Sequence, residues 1–143
     1  MGFAYSPLRY PGGKTRISEL VSDFISVNSL EGTHYAEPYA GGSGLALSLL
    51  YGGYVSDIHI NDIDDGIWAF WSCVLNDTDG LLEKLEGTPI TLDEWERQRE
   101  IWKTGRYQTK LDLGFATFFL NRTNRSGIIR NAGMIGGREQ SGI

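Results

Sequence analysis

Gly41, Gly42 and Gly44 stand between a short strand-like segment, His34–Pro38, and the apolar run Leu45–Leu50. Gly52 and Gly53 stop that run, and Tyr54–Ile60 alternates as a second strand that ends in Asn61-Asp62-Ile63-Asp64. Strand, glycine turn, helix and strand in this order make a parallel β-α-β unit. Such units bind ligands beyond the carboxyl ends of their strands. Glycines let the backbone approach the ligand, and an acid at the next strand tip accepts bonds from ribose hydroxyls. Glu37 and Asp62 fall at the two tips. The pattern predicts a nucleoside-type site without saying which nucleoside.

The remaining segments divide by periodicity. Ile17, Leu20, Val21, Phe24 and Ile25 have helical spacing and predict a helix over 17–27. Ile67–Leu75 is apolar almost all round and predicts a buried helix, with Asp64 and Asp65 suited to its positive N-terminal end. Thr91 followed three residues later by Glu94 has capping-box form and opens a polar helix through about Lys103. Gly105–Thr109 reads as a loop and Leu111–Leu120 as an apolar helix. Asn121–Asn131 is basic and polar and reads as a loop or irregular hairpin, with groups suited to phosphates and base edges. His34 and His59 lie on predicted strands and read as core histidines. Tyr10-Pro11-Gly12-Gly13-Lys14 is not a Walker loop, because Leu8 stands where its first glycine belongs.

The net charge of −5 hides a segregation: residues 1–16 carry +3, residues 17–96 carry −14 and residues 97–143 carry +6. Basic ends around an acidic middle suit a polyanion that touches the ends only. Cys73 is the single cysteine, which excludes an internal disulfide and fits a reducing, cytoplasmic setting. Its apolar flanks suggest a buried structural thiol. The longest apolar runs are far too short to span a bilayer, and no cationic start followed by an apolar stretch marks a secretory signal. No Cys/His cluster has metal-ligand spacing.

Four stretches in order resemble the Dam-type, N6-adenine-specific DNA methyltransferases. Leu8–Lys14 resembles the family's Gly-Gly-Lys motif, and Ala36–Gly44 its Glu-Pro-Tyr/Phe-x-Gly-Gly-x-Gly motif. Asn61-Asp62-Ile63-Asp64 resembles its Asn-Asp-x-Asn/Asp motif, and Phe118–Gly127 the Asn-Arg-x-x-x-x-Gly stretch of its target-recognition region. The resemblance implies an α/β fold: a Rossmann-like, S-adenosylmethionine-dependent methyltransferase sheet, here incomplete, over residues 1–76. Residues 77–143 would begin a helical and loop target-recognition region. It further implies that Tyr10, Lys14, Glu37, Pro38, Tyr39, Gly41, Gly42 and Gly44 surround the methionine part of S-adenosyl-L-methionine. Asp62 would hold the ribose and Ile63 pack on the adenine. Arg9, Arg122, Asn124, Arg125, Ser126 and Arg130 would face double-stranded DNA.

One departure limits the expected activity. The family's Asp-Pro-Pro-Tyr motif, which bonds the amine of a flipped adenine and stacks on its ring, is absent: Pro7, Pro11, Pro38 and Pro89 are nowhere adjacent. No catalytic residue and no metal ligand is therefore assigned, and the chain alone is expected to be inactive in methyl transfer. It reads as an unfinished N-terminal part of a restriction–modification or replication-marking enzyme. The alternatives are a non-catalytic cofactor- or DNA-binding module, half of a split enzyme with a separately encoded C-terminal partner, or another nucleoside-cofactor enzyme.

Overall fold

The computed structural model describes residues 5–137. Among them, six α-helices and a two-stranded parallel sheet make a mixed α/β chain. The helices are α1 (Ser18–Val27), α2 (Gly44–Tyr51), α3 (Asp65–Asn76), α4 (Thr78–Gly87), α5 (Leu92–Thr104) and α6 (Lys110–Thr123); the strands are β1 (Thr33–Glu37) and β2 (Val55–Ile60). Two compact units divide the chain, Met1–Ile63 and Asp64–Ile143. Among the described residues, no helix is long and apolar enough to cross a membrane.

The first unit is the expected β-α-β. β1 pairs with β2 in parallel from Thr33 opposite Val55 to Glu37 opposite Ile60, with one irregularity after Thr33. Its core gathers Ile25 of α1, Leu45 and Leu49 of α2, and Val55 of β2, with Tyr35 and Ile58 packed against them. Only one face of the sheet is covered in this way. As a result β1 is not the buried strand that its sequence suggests: Thr33, His34 and Ala36 are exposed. The two histidines are likewise surface groups rather than core ones, because both stand on the uncovered face.

The second unit is helical, built around α3 against α6. Gly114 permits their close approach, since a Cβ there would stand 2.9 Å from the Ala69 carbonyl oxygen and 3.1 Å from Cys73 Sγ. Phe70 and Phe118 stack across this contact, with centroids 5.4 Å apart and planes within 8°. Cys73 is fully buried, and burial pushes its thiol above the usual range, with Lys110 opposing the rise and Asp77 adding to it. Asp64 caps α3 by accepting from the amides of Gly66 and Ile67. That helix is nonetheless buried along one side only, with Trp68 and Leu75 exposed.

α4 has no counterpart in the sequence reading. It is short and glycine-bearing and buries Leu81, and its signals, Asp77 at the N-cap, Asp79 in the first turn and leucines at 81, 82 and 85, stood in the sequence without being read as a helix. Thr91 does cap α5, accepting from Glu94 N–H. The reciprocal capping box lies at α6 instead, between Thr109 and Asp112. α6 also runs through Asn121 and Arg122 to Thr123, where a loop was expected.

Candidate functional site

In the first unit the ladder continues past the strand ends. Asn61 N–H donates to Glu37 O at 3.1 Å and Ala40 N–H to Asn61 O at 2.9 Å. These bonds draw the turn between β1 and α2 along the tip of β2. There Asp62 Oδ2 accepts from Gly41 N–H at 2.8 Å. The carboxylate that the sequence assigns to a ribose thus also clamps the glycine turn.

The segment before α1 lies directly on this turn. A Cβ on Gly41, whose φ is +50°, would stand 2.8 Å from Tyr10 Cε1, and one on Gly42 would stand 2.9 Å from Tyr10 Cβ. A Cβ on Gly44 would meet Thr15 Oγ1. The glycines are therefore needed for Tyr10 and Thr15 to rest on the turn, apart from any ligand.

Glu37 is the chemically distinctive group here. It is 3 % exposed, and neither carboxylate oxygen has a partner in hydrogen-bond geometry. Lys14 Nζ is 2.7 Å from Oε1, an ion contact by distance whose direction misses that of a hydrogen bond. The same ammonium donates to the Tyr39 carbonyl. Burial, and then the Glu37 charge, hold the nearby Tyr35 hydroxyl above its usual range. Burying a carboxylate without full hydrogen bonding costs several kcal/mol, of order 3–5 when its partner is removed. Ser43, left-handed at φ 50°, adds a buried hydroxyl without a partner.

The structure thus assembles Tyr10, Lys14, Glu37, Tyr39, Gly41, Gly42, Gly44 and Asp62 around the strand tips. Pro38, Tyr39 and Ile63 are exposed, Ile63 at 83 %. Ser43 was not foreseen, because a serine between glycines gives no sign of burial.

The residues expected to face DNA are placed differently from one another. Arg9 belongs to the first unit and the others to the second. Arg122, Arg125, Ser126 and Arg130 are exposed. Asn124 is 1 % exposed and faces inward. Its Oδ1 accepts from Trp95 Nε1–H at 2.7 Å, while its Nδ2 donates to the carbonyls of Ile128 and Ile129. Asn124 therefore shapes the loop rather than presenting its amide outward. Asn121, fully buried, does the same through Gly127 O. An antiparallel bridge between Asn124 and Met134 closes a hairpin beyond α6, where the sequence reads as a loop or irregular hairpin over 121–131.

Between α5 and this hairpin lies an open cleft of about 570 Å³, lined by Trp95, Arg99, Arg125, Ser126 and Met134 among others, with no carboxylate among the described lining residues. Arg99 stands over the Trp95 ring, 5.2 Å from its centroid. Neither Trp95 nor Arg99 was singled out from sequence, although their i, i+4 spacing on a polar helix was the available signal. Arg130 turns elsewhere, donating to Asp64 Oδ2 at 3.1 Å and lying over Trp102.

No protein-family model matches this chain, and no curated protein matches it.

Proposed function

We propose that this chain carries the S-adenosylmethionine site and part of the DNA-binding surface of an adenine-specific DNA methyltransferase, with a Rossmann-like first unit holding the cofactor. The observation that carries this reading is the buried Glu37 carboxylate. Its oxygens have no partner in hydrogen-bond geometry beyond the ion contact with Lys14, and it stands at a strand tip beside a glycine turn that Asp62 holds from the neighbouring tip. An α-ammonium would supply the hydrogen bonds that Glu37 lacks, beside the Lys14 ammonium that already pairs with Oε1. Asp62 suits a ribose, and the exposed Ile63 offers an apolar surface for a purine.

When bound, S-adenosylmethionine supplies an activated methyl group, and the residues here orient it. The second unit supports contact with a polyanion through Arg99 and Arg125, in a cleft whose described lining residues include no acid. Because the sequence contains no Asp-Pro-Pro-Tyr, this polypeptide alone is expected to bind rather than to turn over.

Calorimetric titration of S-adenosylmethionine into the chain tests the cofactor half. Saturable binding, weakened at least tenfold by Glu37→Gln and by Asp62→Ala, is the expected result. A folded chain that takes up no S-adenosylmethionine, or binds it equally well in both variants, overturns the reading.

A further inference from the structure

α1 carries more apolar surface than the first unit uses. At about 100° of rotation per residue, Leu20, Phe24 and Val27 fall on one narrow stripe, which Ile17 continues at the N-terminal end. Val21 and Ile25 lie on a neighbouring line and pack into the core with Leu45 and Leu49. The stripe itself is uncovered: Ile17, Leu20, Phe24 and Val27 are between 44 % and 84 % exposed. Single exposed apolar residues need no explanation. Four on one line, spaced three and four residues apart, are the anchor pattern of helix docking.

The charges beside the stripe select the partner. Glu19 and Asp23, one helical turn apart, line its margin opposite Val21, and both are exposed. Neither has an ion pair among the described residues. Residues 17–31 hold Glu19, Asp23 and Glu31 and no base; Arg16, just before the helix, is the nearest cation in sequence. A second copy fits poorly. In an antiparallel pair of α1 helices the two acidic margins would face each other and repel. In a parallel pair each margin would face Val21 and Asn28, which offer no opposite charge. An anionic lipid surface is disfavoured by the same acids.

We propose that the Ile17, Leu20, Phe24 and Val27 stripe of α1 is a docking surface for a basic amphipathic helix of a partner protein. The partner's apolar residues cover the stripe, and its lysines or arginines lie along the Glu19 and Asp23 margin. The surface uses none of the residues assigned to S-adenosylmethionine or to DNA, so it stands independently of both.

The test uses two labelled synthetic helices with leucines along one face, flanked by lysines in one peptide and by glutamates in the other. Fluorescence anisotropy with the full chain should show saturable, one-to-one binding of the lysine peptide and at least tenfold weaker binding of the glutamate peptide. Leu20→Ser combined with Phe24→Ser should weaken the lysine peptide at least tenfold. Glu19→Lys combined with Asp23→Lys should reverse the preference, although that chain stays net negative, so general attraction to an acidic protein is separated from docking on α1. The substituted side chains are exposed, so the variants should keep the parent circular-dichroism spectrum. No binding of the lysine peptide by the folded chain, equal affinity for both peptides, or binding unmoved by the stripe variant overturns the proposal. A dimer of the chain alone in sedimentation, dissociated by the stripe variant, also overturns it and makes a second copy the occupant.

Discussion

Lys14 Nζ stands 2.7 Å from Glu37 Oε1, yet the lysine side chain is 40 % exposed and the glutamate 3 %. A hydrated cation is thus set against a dry anion. Removing the cation leaves a buried charge uncompensated, a loss of about 3–5 kcal/mol for a fully buried pair and less where one partner is wet. Lys14→Met is expected to destabilise the chain by about 1–3 kcal/mol in denaturant unfolding. Lys14→Met combined with Glu37→Gln should recover at least half of that, because no charge then remains buried.

Tyr10 and Gly41 give a second expectation. Gly41→Ala places a methyl group against the Tyr10 ring and also strains a backbone at φ +50°. Gly12→Ala meets nothing within 4 Å, although its φ is +74°. Gly12→Ala should therefore cost only the left-handed backbone penalty, about 1 kcal/mol. Gly41→Ala should cost more, and should weaken S-adenosylmethionine binding at least tenfold by displacing Tyr10. Equal effects of the two substitutions on binding would show that Tyr10 does not shape the pocket.

The β-α-β unit was legible because its signals are local: a glycine turn, a helix stop and an acid at each strand tip. Burial was less so. A two-stranded sheet covered on one face leaves His34 and His59 outside, and nothing in their own segments records what lies above them. The hairpin shows a similar limit. Asn124 lies in a run of polar, basic residues that reads as surface, but its burial depends on Trp95, 29 positions earlier. α4 differs: Asp77 at its N-cap and leucines at 81, 82 and 85 are present in the sequence, but over ten residues they are weak, and the helix depends on packing through Leu81.

Asn124→Ala should accordingly act through structure. It leaves the Trp95 indole N–H without its buried acceptor and frees the Ile128 and Ile129 carbonyls. A buried donor without a partner costs about 1–3 kcal/mol. The total loss should be about 2–4 kcal/mol, with the Trp95 fluorescence shifted as the loop loosens. Arg125→Ala, at an exposed position, should leave stability within about 0.5 kcal/mol of the parent.

Acid should undo the cap of α6. Burial raises the Asp112 pKa, but hydrogen bonds from Lys84 and Thr109 outweigh it and hold the carboxyl below its usual range. Glu94 is lowered similarly, with its bonds from Arg97 and Gln98 overcoming burial. A carboxyl with a lowered folded-state pKa binds fewer protons folded than unfolded. Its stabilisation is complete above the unfolded value, about 4, and is lost as the pH falls through the folded value. Asp112→Asn should cost about 1 kcal/mol at pH 7 and flatten the acid limb of a stability profile measured between pH 7 and pH 2.

The cleft beside Trp95 makes the DNA expectation quantitative. Arg99 and Arg125 both line it, and none of its described lining residues is an acid, whereas Arg130 is already engaged with Asp64. If each cleft arginine neutralises one phosphate, it releases counterions on binding. Removing it should then lower the slope of log K against log salt by about 0.9. Fluorescence anisotropy with a labelled duplex, measured across a range of salt concentrations, should show that loss in Arg99→Ala and again in Arg125→Ala, roughly additively. Arg130→Ala should change the slope less, because binding must first draw its guanidinium from Asp64. Slopes unchanged in both cleft variants would place the duplex elsewhere on the second unit. A parent chain with no affinity for duplex at low salt would remove DNA from the proposed function while leaving the S-adenosylmethionine site to be judged on its own titration.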